Sequence, residues 1–256
     1  MPQTERDVIL NTFAIRSFRD TADRDYIHAR LAYRARLIPQ FQWSALHCLE
    51  KYAKGILLIN RIPAKSLRHE VSSALDLLAK YGKFTIKLSE PARELIDLLE
   101  SGAEFRYFEV SYFSRRFDIV RLDTAVSELR RYCQVLDWEI DTPNGKHNFF
   151  ESGLAQIGHA AANKQTETCI MSGWLEGIIK DRKHPAREPL LWKNLFFGLS
   201  KRKTVKVHGY EEAGNSPLYM HPEILDDVVK YVYLPKRIAN EWRTELSKRK
   251  ATGGDG

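Results

Sequence analysis

The stretch SALHCLEKYAKGILLINRI, residues 44–62, carries the clearest periodicity in the chain. Leu46, Leu49, Ala53, Ile56 and Leu57 recur at helical spacing and predict one amphipathic helix over 41–60. His47, Lys51 and Lys54 fall on its other face, and Glu50 stands four positions before Lys54, a favourable pairing on a helix. Asn60 to Pro63 stops it.

The same period extends on both sides. Ile27, Leu31, Ala35 and Ile38 predict a preceding helix that ends near Pro39. Leu67, Val71, Leu75 and Leu78 predict a following one over 66–81, opened around His69 and capped by Gly82. Ser89-Glu90-Pro91 opens a short helix that Gly102 closes, and Asp118 is placed to cap a longer one carrying Ile119, Leu122, Val126, Leu129 and Cys133.

Residues 138–150 break the pattern. Pro143-Asn144-Gly145 suits a two-residue hairpin. Beyond it, helices are expected around 153–163, 168–180, 187–199 and 222–232, with a last one carrying Ile238, Trp242 and Leu246. Val205 and Val207 alternate with polar residues as a short strand would, and 209–217 reads as a mobile loop. The expected fold class is therefore mainly α with a minor β element. Its organisation is a helical bundle over 1–137, a hairpin or linker over 138–152, a helical region over 153–247 and a disordered tail over 248–256.

Composition bounds the function classes. The chain has 256 residues, 43% hydrophobic and 29% charged, which fits a soluble globular protein and excludes fibrous or disordered classes. Three cysteines without a CxxC, Cys48, Cys133 and Cys169, exclude a disulfide scaffold and fit a reducing, cytoplasmic setting. No apolar run approaches membrane-spanning length, so no membrane partner is expected. Motifs of nucleotide hydrolases, dinucleotide enzymes, serine hydrolases and HExxH zinc enzymes are absent. The eight histidines show no ligand spacing with one another or with the cysteines, so no metal and no cofactor are expected.

Charge is concentrated rather than spread. The formal balance is +7, and the window 180–206, with nine Lys/Arg and two acidic residues, carries a local +7 by itself. There Lys201, Arg202, Lys203 and Lys206 accompany Trp192, Phe196 and Phe197, which suits contact with a phosphate backbone, while Leu190, Leu191, Leu195, Phe196 and Leu199 can form a buried helix face with the cations left in solvent. Arg106-Tyr107, with Arg115 and Arg116 close by, is a second such cluster. Arg68 beside His69 is a third candidate for phosphate contact.

Glu50-Lys51-Tyr52-Ala53-Lys54, followed by His69 ahead of an apolar helix and by GAEFRYFE at 102–109, resembles the HEPN superfamily over about residues 20–136. The resemblance implies a bundle of four or five helices, homodimerisation, and RNA or a nucleotide as partner. It also implies metal-independent RNase activity of the kind found in toxin–antitoxin and phage-defence systems. The family's catalytic signature is an Arg followed at a short interval by a His. The His moves a proton and the Arg holds the phosphorane oxygens. Here only Arg202 and His208 keep that interval, outside the matched stretch. The candidate catalytic residues are therefore His69, Arg106, Arg202 and His208. The other class left open is a non-catalytic, dimerising module that binds a protein partner.

Overall fold

The computed structural model describes residues 4–67, 69–101, 111–143, 145–162, 171–198, 202, 204–207 and 211–252, with Lys250 and Thr252 described by backbone only. It is mainly α, with small two-stranded sheets. The first helix, α1 (Glu5–Ala14), is opened by a capping box between Thr4 and Asp7. It runs through a π-helical turn (Ile15–Arg19) into α2 (Asp20–Arg34).

The chain reverses at 35–37, where Arg36 takes φ 58° and the amides of Arg36 and Leu37 bond back to Tyr33 and Ala32. This closes α2 with the left-handed cap usually given to glycine. The next helix, α3 (Ile38–Ile59), carries Pro39 in its opening turn. Pro39 therefore starts a helix rather than ending one, because its missing N–H costs nothing in the first turn. Leu31, expected inward, is exposed.

α3 is the central helix. Phe41, Ala45, Leu46, Cys48, Leu49, Tyr52, Ala53, Ile56 and Leu57 are buried. Gly55 permits close approach of the π-helical turn, since a Cβ there would stand 3.1 Å from Phe18 Cβ. Arg61 closes α3 as Arg36 closes α2, at φ 58°. α4 (Val71–Tyr81) begins five residues later than the expected 66, so His69 lies in the bend before it.

α5 (Glu90–Ser101) and α6 (Asp118–Arg130) pack on α3 through Ala92, Leu95, Leu99, Ile119, Leu122 and Val126. Asp118 is the first residue of α6, and its carboxylate accepts the Arg115 amide at 2.7 Å.

Short strands follow a different plan from the one expected. β1 (Tyr112–Ser114) pairs antiparallel with a later strand, Glu212–Gly214, which falls inside the segment read as a mobile loop. Gly214 lets the Tyr112 ring cross it, because a Cβ there would meet that ring at 2.4 Å. β2 (Glu139–Thr142) and β3 (Gly145–Asn148) form the expected hairpin, with Thr142 opposite Gly145 and Asn144 outside the described residues. Residues 204–207, expected as a strand, have no strand partner among the described residues. Val207 is instead buried in the main core.

α7 (Phe150–Ala162) packs on Leu136 and Phe84 in a small cluster of its own. α8 (Trp174–Lys180) and α9 (Arg187–Leu191) are shorter than the helices expected there. Their Leu175, Ile178, Ile179 and Leu190, with Phe197, join the core of the first six helices. The strand Glu212–Gly214 is β4. After it come α10 (Pro217–Met220), a 3₁₀ turn at Pro222–Ile224, α11 (Leu225–Tyr231) and α12 (Lys236–Thr252). Leu218, Leu225, Leu234, Ile238 and Trp242 close a third cluster. α12 is helical through Thr252, into the stretch expected to be a disordered tail. Among the described residues, no helix is long and apolar enough to cross a membrane.

Two buried arginines tie α8 and α9 to the bundle. Arg130 on α6 donates to both Asp23 oxygens (2.7 and 2.9 Å) and to both Glu176 oxygens (2.6 and 2.9 Å). Tyr52 on α3 donates to Asp23 at 2.6 Å. Arg30 on α2 pairs with Asp123 and donates to the carbonyls of Pro189 (2.9 Å) and Trp192.

Removing one member of a fully buried ion set costs about 3–5 kcal/mol, because the rest stay charged and dry. Arg130→Met is therefore expected to lower unfolding free energy by about that amount in urea titration. Lys230→Ala, which breaks an exposed pair with Asp227, should change it by less than about 1 kcal/mol. A loss under about 1 kcal/mol for Arg130→Met would show that the network does not hold the segment.

Candidate functional site

Most of α3 is buried, and along its middle the partly exposed residues form a stripe: Trp43, His47, Glu50, Lys51 and Lys54. The spacing of three and four that sends the apolar residues inward sends these outward together. Asp25 and His28 on α2 border the stripe. Asp25 pairs with Lys51, and His28 Nδ1 lies 2.7 Å from Ser44 Oγ. The loop after α3 brings His69 onto it from the far side.

The result is a compact cluster of rings and charges. The His47 and His69 rings stack at 5.8 Å with planes 9° apart, and Trp43 packs on them at 4.0 and 5.8 Å. His69 Nδ1 is 3.0 Å from Glu50 Oε2, while Glu50 Oε1 accepts from Lys54 Nζ at 2.6 Å. His47 Nε2 is buried and has no hydrogen-bond partner among the described residues. One ligand-capable atom from each of His47, Glu50 and His69 lies within 4.8 Å of the other two.

Burial holds His47 below the ordinary 6.5, with Lys51 and His69 adding to that and Glu50 and Asp25 opposing it. Half-burial acts to raise Glu50, but hydrogen bonds and charge from Lys54 and His69 outweigh it and lower the carboxyl. A neutral imidazole beside a carboxylate can take a proton, give one, or offer a lone pair.

The residues singled out from sequence fare differently. His69 is in this cluster. Arg68, Arg106, Lys201, Lys203 and His208 lie outside the described residues. Arg115 bonds Glu94 at 3.3 Å, and the Arg116 guanidinium lies over its neighbour Phe117. Arg202 donates to the Leu191 carbonyl at 3.0 Å, and Lys206 is exposed. In the basic window Phe197 is buried and Phe196 packs against the core while Arg202 and Lys206 are exposed, so the apolar residues turn inward and these cations stay outside. Trp192 is covered by Arg34 and Lys193, at 5.1 Å each. Cys48 and Cys133 are buried, with their thiols pushed up by burial, which removes them as nucleophiles.

A cleft of about 430 Å³ between α1, the end of α3 and Val135–Asp137 is lined by Asp7, Arg61, Lys83 and Asp137. Its charges pair across it, Arg61 with Asp7 and Lys83 with Asp137, which leaves less to recognise a ligand.

Sequence reading missed His47 and Glu50 as partners of His69. Spacing among histidines and cysteines does not reveal them, whereas His47-x-x-Glu50 places a histidine and a carboxylate three apart on one helix face. That local signal was available. The approach of His69 was not.

Because His47 is depressed in the folded state, the unfolded chain takes up its proton first as pH falls. Stability is therefore lost through the window from the ordinary histidine value down to the lowered one. Glu50 adds its own loss only below the ordinary carboxyl value of 4.5. His47→Gln should lose less stability than the parent between about pH 7 and about pH 5. Urea midpoints at both pH values check this, and equal losses would contradict the burial of His47.

Comparison of the chain with family models, with curated proteins and with solved structures finds no match.

Proposed function

We propose that the chain is a HEPN-type protein that binds RNA or a nucleotide on the face formed by α3 and His69. The observation that supports this reading is the bond between Glu50 and His69 at 3.0 Å. The segment Glu50–Lys54 and the downstream His69, which carry the resemblance separately, converge at one surface. That surface offers what a ribonucleotide needs. Lys51 and Lys54, each shared with a carboxylate, supply ammonium donors for phosphate, two imidazoles supply donors for phosphate and ribose, and Trp43 supplies an aromatic plane. In the RNase form of the reading, His69 moves the proton, and the cation at the phosphorane comes from Lys51 or Lys54 or from Arg106. Cytoplasmic stress response or defence is the setting the resemblance implies.

A second reading is a non-catalytic module that dimerises or holds a protein partner. What favours it is α1, where Val8, Ile9 and Phe13 are 51%, 61% and 54% exposed on a helix otherwise tied down by Arg61.

The test is binding and cleavage of single-stranded and transfer RNA with EDTA present. Trp43→Ala should weaken binding by about 1–3 kcal/mol, or roughly five- to 150-fold, if a base stacks there. Lys51→Ala with Lys54→Ala should weaken binding and flatten its dependence on salt. His69→Ala should abolish any cleavage. Unchanged affinity and salt slope in all three would overturn the surface, and absence of cleavage by the parent would leave the binding form alone. A parent that binds no RNA and sediments as a dimer, made monomeric by Phe13→Asp, would establish the second reading instead.

A further inference from the structure

We propose that His47, Glu50 and His69 bind one divalent transition-metal ion of the zinc class. The ion would have three protein ligands and a remaining position open to water or an anion. The proposal stands on the cluster itself and does not need the RNA reading; an ion held by His69 would occupy the side chain that the metal-independent RNase form uses to move a proton, so the two roles are alternatives.

The donor set is assembled without any ion. Two imidazole nitrogens and one carboxylate oxygen already lie within 4.8 Å of one another. In a tetrahedral zinc site with bonds of about 2.0–2.1 Å, ligand atoms stand about 3.3 Å apart. The cluster therefore closes by no more than about 1.5 Å between any two ligand atoms. His47 and Glu50 are fixed on the rigid α3, whereas His69 lies in the bend before α4 and is the ligand placed to move.

Three features point to a metal rather than to a simple hydrogen-bonded group. The first is His47 Nε2, buried with no hydrogen-bond partner among the described residues. A buried polar nitrogen left unsatisfied is costly, and a metal bond to its lone pair removes that cost. The second is the parallel packing of the two rings under Trp43, which restricts both imidazoles before binding. The third is the division of labour at Glu50. Lys54 holds Oε1 at 2.6 Å and leaves Oε2 turned to His69, the kind of outer support that orients a ligating carboxylate.

Charge permits the ion. Lys51 and Lys54 are each paired with a carboxylate, Asp25 and Glu50, so these side chains sum to zero. Two nitrogens and one oxygen favour zinc, cobalt, nickel or copper over magnesium and calcium, which prefer all-oxygen shells. All three residues are partly exposed, so the remaining position faces solvent, as in sites that work on a bound water or anion. Both histidines must be neutral to bind, so binding releases any proton they hold and weakens as pH falls.

The experiment is calorimetric titration of the EDTA-stripped, dialysed full chain with Zn²⁺, with Co²⁺ absorption as a reporter of coordination. The expected result is one saturable site, a tetrahedral or five-coordinate Co²⁺ spectrum, and no competition from millimolar Mg²⁺. His69→Ala, chosen because it lies outside every helix, should weaken binding at least about tenfold and abolish the spectrum. Glu50→Gln should weaken it as well, while His184→Ala should not. Circular dichroism confirms that the variants are folded. Absence of saturable binding, undiminished binding in folded His69→Ala, or displacement by Mg²⁺ would each overturn the proposal.

Discussion

Arg130 is the group on which the rest of the structure depends. Its guanidinium is fully buried, and its donors are spent on Asp23 of α2 and Glu176 of α8. Such a cation is tolerable only when every partner is in place, so the geometry of α2, α6 and α8 is set together. Arg30 repeats the device nearby, joining Asp123 of α6 to carbonyls at the end of α9. Tyr26 extends it, donating to Asp123 at 2.6 Å and accepting from Asn194 at 2.8 Å. A segment that follows the hairpin by some thirty residues is thereby welded into the first core.

The same arrangement leaves α3 enclosed. With α1, α2, α4, α5 and α6 around it, the middle of the helix keeps a single stripe for solvent, and its charged residues are concentrated there. The cluster of Trp43, His47, Glu50, Lys51 and Lys54 therefore sits on the best-supported element of the protein. Side chains on such an element hold their positions closely, which favours chemistry or ligand binding at that surface. His69 differs, since it comes from the bend before α4 and can adjust.

Where local physics suffices, the fold was legible. The apolar period of α3, the hairpin turn at 143–145 and the start of α5 at Glu90 follow from spacing and turn residues alone. Where one residue serves two contexts, local reading failed. Pro39 ends or opens a helix equally well by sequence. Val205 and Val207 alternate like a strand, yet a strand exists only where a partner edge does, and the edge at Tyr112 pairs with Glu212–Gly214. Arg36 and Arg61 occupy positions where glycine would have announced the cap.

The sequence by itself determined the helical class and the central helix, because each rests on contacts within a few turns of one chain segment, and a family resemblance singled out His69. The sequence could not determine which core the apolar residues of the densest basic window join. Nor could it show that His69 meets His47 and Glu50, separated by about twenty residues of helix and loop. Those outcomes belong to tertiary structure. They depend on how buried arginines and packed helices bring distant segments together, and no local period encodes that distance.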